Sequence, residues 1–197
     1  MKFTELLDEL KSQYKQNTLI RKNGTLLLAP GKIPNCRHML FAPLSRQIIE
    51  THLVNNYTNI FPEEYIELLE HTNGANLYGV KLNSGKFSFA QDLLTIYGLP
   101  MTPPFMRAQD MEEPFDLRIE DLSRPNDTPK TWLKCGRYIK DCDFSKPLYI
   151  FINTENHHIL STSKKENAVV EKWNSLDECL CDLFSRMETC PLEYDYD

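Results

Sequence analysis

A chain of 197 residues, 41% hydrophobic and 25% charged, has ordinary globular composition and length enough for one substantial core. No apolar run approaches the ~20 residues that cross a bilayer, and Met1-Lys2-Phe3-Thr4-Glu5 leads into acidic positions where a secretory leader is apolar, so the expected location is cytoplasmic. The formal net charge of −6 divides into +4 over residues 1–44 (seven Lys/Arg, three Asp/Glu) and −10 over the rest (15 against 25), an acidic body that disfavours non-specific nucleic-acid binding and suits either a basic protein partner or plain solubility.

Residues 3–14 place Phe3, Leu6, Leu7, Leu10 and Tyr14 at i, i+3, i+4, i+7 and i+11, the spacing of an amphipathic helix that docks on the body. Residues 18–21 and 26–29 flank Lys22-Asn23-Gly24-Thr25, and Asn-Gly between apolar runs predicts a hairpin with positive φ at both turn positions. This hairpin reads as an added edge. Gly31, Pro34 and Pro43 punctuate the passage to a helix over 44–55, with Leu44, Ile48, Ile49, His52 and Leu53 on one face. The next helix has both ends written in. Pro62 fits the first turn, Glu63 and Glu64 complement the positive N-terminus, and Asn73-Gly74 offers a left-handed stop. Tyr65, Ile66, Leu68 and Leu69 form its apolar stripe, leaving Glu63, Glu67 and Glu70 towards water.

Alternation follows Gly74. Residues 77–82, a turn at Asn83-Ser84-Gly85-Lys86 and Phe87-Ser88-Phe89 make a second hairpin, and residues 92–98 read as one or two helical turns stopped by Gly98 and Pro100. Residues 98–131 hold six of the twelve prolines, which leaves a short helix around 116–122 in an otherwise irregular surface segment. Residues 132–139, 147–153 and 158–162 read as strands, and 168–173 as a fourth. Ser175-Leu176-Asp177-Glu178 is a capping box in which the serine serves an early N–H and Glu178 returns to the serine's own N–H. The helix it opens buries Leu176, Cys179, Leu180, Leu183, Phe184 and Met187 before Pro191. The expected fold is α+β: an antiparallel β-sheet with hairpins, flanked by N-terminal and C-terminal helices.

Several short motifs recur here in a set order: Phe41-Ala42-Pro43 before a helix, Phe61-Pro62-Glu63-Glu64-Tyr65 closed by Asn73-Gly74, Ala90-Gln91-Asp92-Leu93-Leu94 after the first strands, Cys135-Gly136, and Trp173-Asn174-Ser175-Leu176-Asp177-Glu178 at the closing helix. In that order the chain resembles the SUKH superfamily, whose members include the yeast cell-wall glucan-synthesis regulator and bacterial toxin-immunity proteins. The resemblance implies an extension over 1–40, a SUKH-like domain over 41–190 and an acidic tail over 191–197. It also implies a non-catalytic immunity protein that neutralises a polymorphic toxin, often a nuclease, by direct binding. A regulatory adaptor in glucan synthesis or signalling is the other reading the family carries. The family brings no catalytic residues to this chain.

The residues themselves offer little chemistry. No phosphate loop, dinucleotide fingerprint, H-E-x-x-H or nucleophile elbow occurs, and seven glycines leave few for cradling phosphate. The six cysteines lack a C-x-x-C pair and read as free, structural thiols, so no metal and no cofactor is expected. A small metal-dependent enzyme remains as an alternative through His157 and His158, with Glu155 and Asp141 or Asp143 near, although adjacent strand residues point to opposite faces. For the binding reading, Asp110, Glu112, Glu113 and Phe115 in the Pro-rich segment are the predicted partner contacts, a mix suited to a basic protein surface. The competing reading has the aromatics of that segment folded back on the core. Neither nucleic acid nor membrane is an expected partner.

Overall fold

The computed structural model describes residues 2–30, 36–56, 61–84, 87–100, 118–122, 130–163 and 169–190. Their helices are α1 (Phe3–Gln13), α2 (Arg46–Asn56), α3 (Glu63–His71) and α4 (Leu176–Glu188). Their strands are β1 (Thr18–Ile20), β2 (Leu26–Pro30), β3 (Cys36–Leu40), β4 (Ala75–Ser84), β5 (Phe87–Ile96), β6 (Arg118–Leu122), β7 (Lys130–Ile139), β8 (Pro147–Asn153), β9 (Ile159–Ser163) and β10 (Val169–Trp173). All ten strands join one antiparallel sheet, in the order β1-β2-β3-β4-β5-β7-β8-β9-β10, with β6 beside β7 off that path. The α+β class read from the sequence holds. No helix among the described residues is long and apolar enough to cross a membrane.

The N-terminal hairpin forms, with a different turn from the one expected. Arg21 N donates to Thr25 O and Gly24 N to Arg21 O, so three residues make the loop and Gly24 alone takes positive φ, at +89°. Asn23 instead uses its side chain, whose Oδ1 accepts from Thr25 N at 2.9 Å, and this local bond spares it the left-handed region. The hairpin is an edge of the sheet, joined to β4 through β3, whose Arg37 and His38 interrupt any apolar run in the sequence.

Two expected helices are strands. Residues 92–96 belong to β5, which pairs with β4 along its whole length and with β7 at Leu94–Ile96. Leu93, Leu94, Thr95 and Ile96 are all buried, and a central strand covered on both faces loses the alternation that marks an edge strand. The helix expected around 116–122 is β6. Strand β5 pairs only with Gly136–Tyr138 of β7, and β6 takes the ladder positions left open from Lys130 to Lys134. Open backbone on a long strand outweighs a weak local helix preference.

Adjacent residues on a strand face opposite sides, and the sheet uses both. Leu133, Ile150, Ile152 and Ile159 join the main core with Phe3, Leu7 and Leu10 of α1, Tyr65, Leu68 and Leu69 of α3, and the six apolar positions of α4. Their neighbours Trp132, Phe151 and Leu160 form a second, smaller cluster with Tyr149 and Val169 packed against it. Each helix thus turns a 3.6-period stripe onto one sheet face, as its spacing predicts.

The N-termini of α1, α3 and α4 meet, with α3 capping α4 and α4 capping α1. Glu64 Oε2 accepts from Leu176 N at 2.9 Å, Asp177 Oδ1 accepts from Phe3 N at 2.8 Å, and Lys2 Nζ returns to Glu67 Oε2 at 2.8 Å. Carboxylates from one helix thereby satisfy the orphan N–H groups of the next. Ser175 Oγ accepts from Glu178 N at 3.0 Å as expected, but Glu178 reaches one residue further back, to Asn174 N at 2.8 Å and Asn174 Nδ2 at 3.1 Å. Glu64→Ala is therefore expected to cost about 1 kcal/mol, the size of a lost cap, and to lower the thermal midpoint by about 2–4 °C. An unchanged midpoint by calorimetry would show that water replaces the carboxylate at no cost.

Candidate functional site

Strands β3 and β4 bring Arg37 and His38 beside Tyr78, with His38 opposite Leu77 in the ladder. His38 is buried, and its Nδ1 accepts from Tyr78 N at 3.3 Å, which leaves the proton on Nε2. Tyr78 takes φ +55°, a conformation a bulky side chain adopts only when its surroundings impose it. The surroundings are visible. Its ring meets His38 edge-on at 4.8 Å and Phe184 of α4 at 5.1 Å, while the Arg37 guanidinium sits 5.0 Å from the ring centroid. Tyr14, at the end of α1, packs on His38 at 5.6 Å. The Tyr78 hydroxyl is buried without a hydrogen-bond partner, and burial raises its pKa strongly.

Gly79 follows because nothing larger fits: a Cβ there would lie 2.4 Å from Cys36 O and 3.6 Å from Asp92 Oδ1. Burial pushes the Asp92 carboxyl up to about 6, against the pull of Arg137. Burial also pushes the thiols of Cys36 and Cys135 up to about 12 and that of Cys179 upward, so these remain protonated and unreactive at neutral pH. His38, driven down to about 3 by burial and then by Arg37, stays neutral. A neutral imidazole whose acceptor nitrogen is engaged by backbone, beside a phenol with a raised pKa, is built to lock a strained strand and not to pass protons. Cys36, Cys135, Cys179 and Cys181 are free thiols as the spacing predicts, whereas Cys190 is disulfide-bonded, a pairing that spacing alone does not reveal.

A second polar knot ties α3 to the sheet. Asn73-Gly74 was expected as the left-handed helix stop, but the helix ends one step earlier, at Thr72, which is already extended (φ −158°, ψ 132°). Thr72 Oγ1 lies 3.0 Å from Phe41 O and 2.7 Å from Gly74 O, and its single hydroxyl proton serves these two carbonyls. Asn73 imitates a strand partner: its Nδ2 donates to Leu99 O at 2.9 Å and its Oδ1 accepts from Leu99 N at 2.7 Å. Gly74 takes φ +90°, and a Cβ there would lie 2.7 Å from Ile96 O and 2.9 Å from Gly98 N, so only glycine fits. Tyr65 donates its hydroxyl proton to Tyr97 O in the same junction.

The histidine pair lies in a turn and not within β9. His157 takes φ +60°, its N–H donates to Asn153 O, and His158 N donates to Asn156 Oδ1 at 3.1 Å. Both side chains are exposed, and Asn153 Oδ1 organises the turn by accepting from Glu155 N and Asn156 N. Among the described residues no three His, Cys, Asp or Glu side chains converge as metal ligands. His52 on α2 is half-buried. The predicted contact residues Asp110, Glu112, Glu113 and Phe115 lie outside the described residues.

The signal for the His38–Tyr78 knot was present in the sequence as the alternation Cys36, His38, Leu40, in which a histidine occupies a core position of a short strand. Compared with family models, curated proteins and solved structures, the chain gives no match.

Proposed function

We propose that this chain is a non-catalytic protein-binding protein, a cytoplasmic immunity-type member of the SUKH superfamily over residues 41–190 that neutralises a toxin domain by direct binding. The observation that carries the reading is the work done by the residues of the resemblance. Tyr65 anchors on Tyr97 O, Asn73 pairs with Leu99, Gly136 admits Thr95 O where a Cβ would lie 2.7 Å from it, and Ser175 caps α4. They build a scaffold and offer no reacting group. A rigid sheet with a body of net charge −10 suits a basic partner, with charge speeding and orienting the encounter. Asp110, Glu112, Glu113 and Phe115 are the proposed contact.

The test is genetic and chemical together. Each protein encoded beside this gene is expressed alone and with this chain. The immunity reading expects one that arrests growth alone, is harmless in company, and elutes with this chain at equal stoichiometry. If no neighbour is toxic, or rescue occurs without a complex, the immunity reading fails and the adaptor reading replaces it.

A further inference from the structure

Among the described residues, β1 and β10 end the main path of the sheet, with β6 beside β7 off it, and the two ends are finished differently. At β10 the register shifts between Val169 and Glu171, Lys172 is exposed, and Glu171 is held by Lys140 and Arg186, each at 2.7 Å. A bulge and charge along an edge discourage a further strand. Strand β1 has neither device. Its register is regular, Thr18↔Leu28, Leu19↔Leu27 and Ile20↔Leu26, and Leu19 and Ile20 are 42% and 67% exposed.

Parity fixes which backbone groups point outward. Asn17 O accepts from Ala29 N, and Arg21 N donates to Thr25 O, so positions 17, 19 and 21 turn their polar groups towards β2. In an antiparallel ladder the alternate positions face the other way, so Thr18 and Ile20 present N–H and C=O along the open edge. The flanks are basic. Lys15 and Lys22 are exposed on either side of β1, and no Asp or Glu occurs from residue 10 to residue 49. Apolar side chains, unused ladder groups and unopposed lysines thus coincide on a three-residue strand.

We infer that β1 is a docking edge for an extended acidic segment of a partner protein, which adds as the next strand of the sheet. Its backbone pairs with Thr18 and Ile20, its apolar side chains, which share one face of the added strand, cover one of Leu19 and Ile20, and its carboxylates meet Lys15 and Lys22. This surface lies outside residues 41–190, so it stands or falls independently of the immunity reading.

The test uses the full chain and the probe peptide acetyl-Glu-Val-Glu-Val-Glu-Val-Glu-amide, with the corresponding Lys-Val peptide as charge control, followed by amide NMR and fluorescence anisotropy. Ile20→Pro removes an outward N–H and no bond to β2, a position where an edge strand tolerates proline, and circular dichroism checks its fold. The Glu peptide is expected to bind with slowed exchange of the Thr18 and Ile20 amides, about tenfold more tightly than the Lys peptide, and Ile20→Pro to weaken it about tenfold. Lys15→Glu with Lys22→Glu should invert the peptide preference, and this pair decides the matter should Ile20→Pro misfold. Absence of any β1 perturbation at about 1 mM peptide, or equal binding of both peptides, overturns the inference. So does a dimer abolished by Ile20→Pro, which assigns the edge to a second copy. Binding that appears only after removal of residues 191–197 overturns it too, by assigning the edge to the chain's own acidic end.

Discussion

Gly98→Ala is expected to destabilise the fold by about 3 kcal/mol, lowering the thermal midpoint by about 6–12 °C in a chain of this size. A Cβ at Gly98 would lie 2.1 Å from Asn73 O and 2.6 Å from both Asn73 C and Asn73 Oδ1. Relief requires Asn73 to move, and Asn73 is held by both hydrogen bonds to Leu99. Shifting it leaves buried amide groups unpaired, at roughly 1–3 kcal/mol for each group. The strain therefore has no flexible side chain to absorb it. Calorimetry of the variant decides, and a midpoint within about 2 °C of the parent would mean that the α3–sheet junction is looser than its hydrogen bonds indicate.

The second large effect is a pH dependence with two opposed parts. His38 is depressed in the folded chain to about 3 from 6.5, so the unfolded state takes up its proton first. Stability from the neutral imidazole is complete above about pH 6.5 and is lost as pH falls towards 3, because a proton on Nδ1 would confront Tyr78 N–H. Asp92 runs the other way. Its folded pKa is raised to about 6 from 3.8, so the folded state binds the proton first and this group's penalty is relieved as pH falls from about 7 to 4. Two pKa units correspond to about 3 kcal/mol, so the two terms largely offset between pH 6 and 4.5. Asp92→Asn removes one of them. Relative to the parent it should be more stable by about 2 kcal/mol at pH 8, with the advantage gone by about pH 4, measured by urea denaturation at each pH. The other carboxylates are common to both proteins and cancel in the difference. A variant less stable than the parent at pH 8 would show that Arg137 stabilises an ionised Asp92 more than burial opposes it.

What the sequence disclosed follows from where each signal is stored. Helices α1, α3 and α4 carry their apolar stripes and end residues within a dozen positions, and each forms where the spacing predicts. Strands β7 to β10 are runs rich in apolar, aromatic and β-branched residues set off by turn residues, and they too are legible locally. Strand β3 is five residues long and holds Arg37 and His38 where apolar residues were sought. The end of β5 and all of β6 depend on β7, whose ladder positions lie 40 to 44 residues from β5 and 8 to 16 residues from β6. No local window contains that information. The candidate site divides similarly. His157 and His158 were found as residues but sit in an Asn153-organised turn, while the His38–Tyr78 knot needs β3 and β4 already paired before it exists.

On the proposed function, the chain works by holding another protein. The most direct measurement captures the tagged full chain from its native cells at moderate salt and quantifies the co-purifying proteins by mass spectrometry. One basic protein is expected at near-equimolar stoichiometry, its binding weakened by neutralising Asp110, Glu112 and Glu113. A chain recovered alone, with turnover of a small molecule that His157→Ala or His158→Ala abolishes, would contradict it.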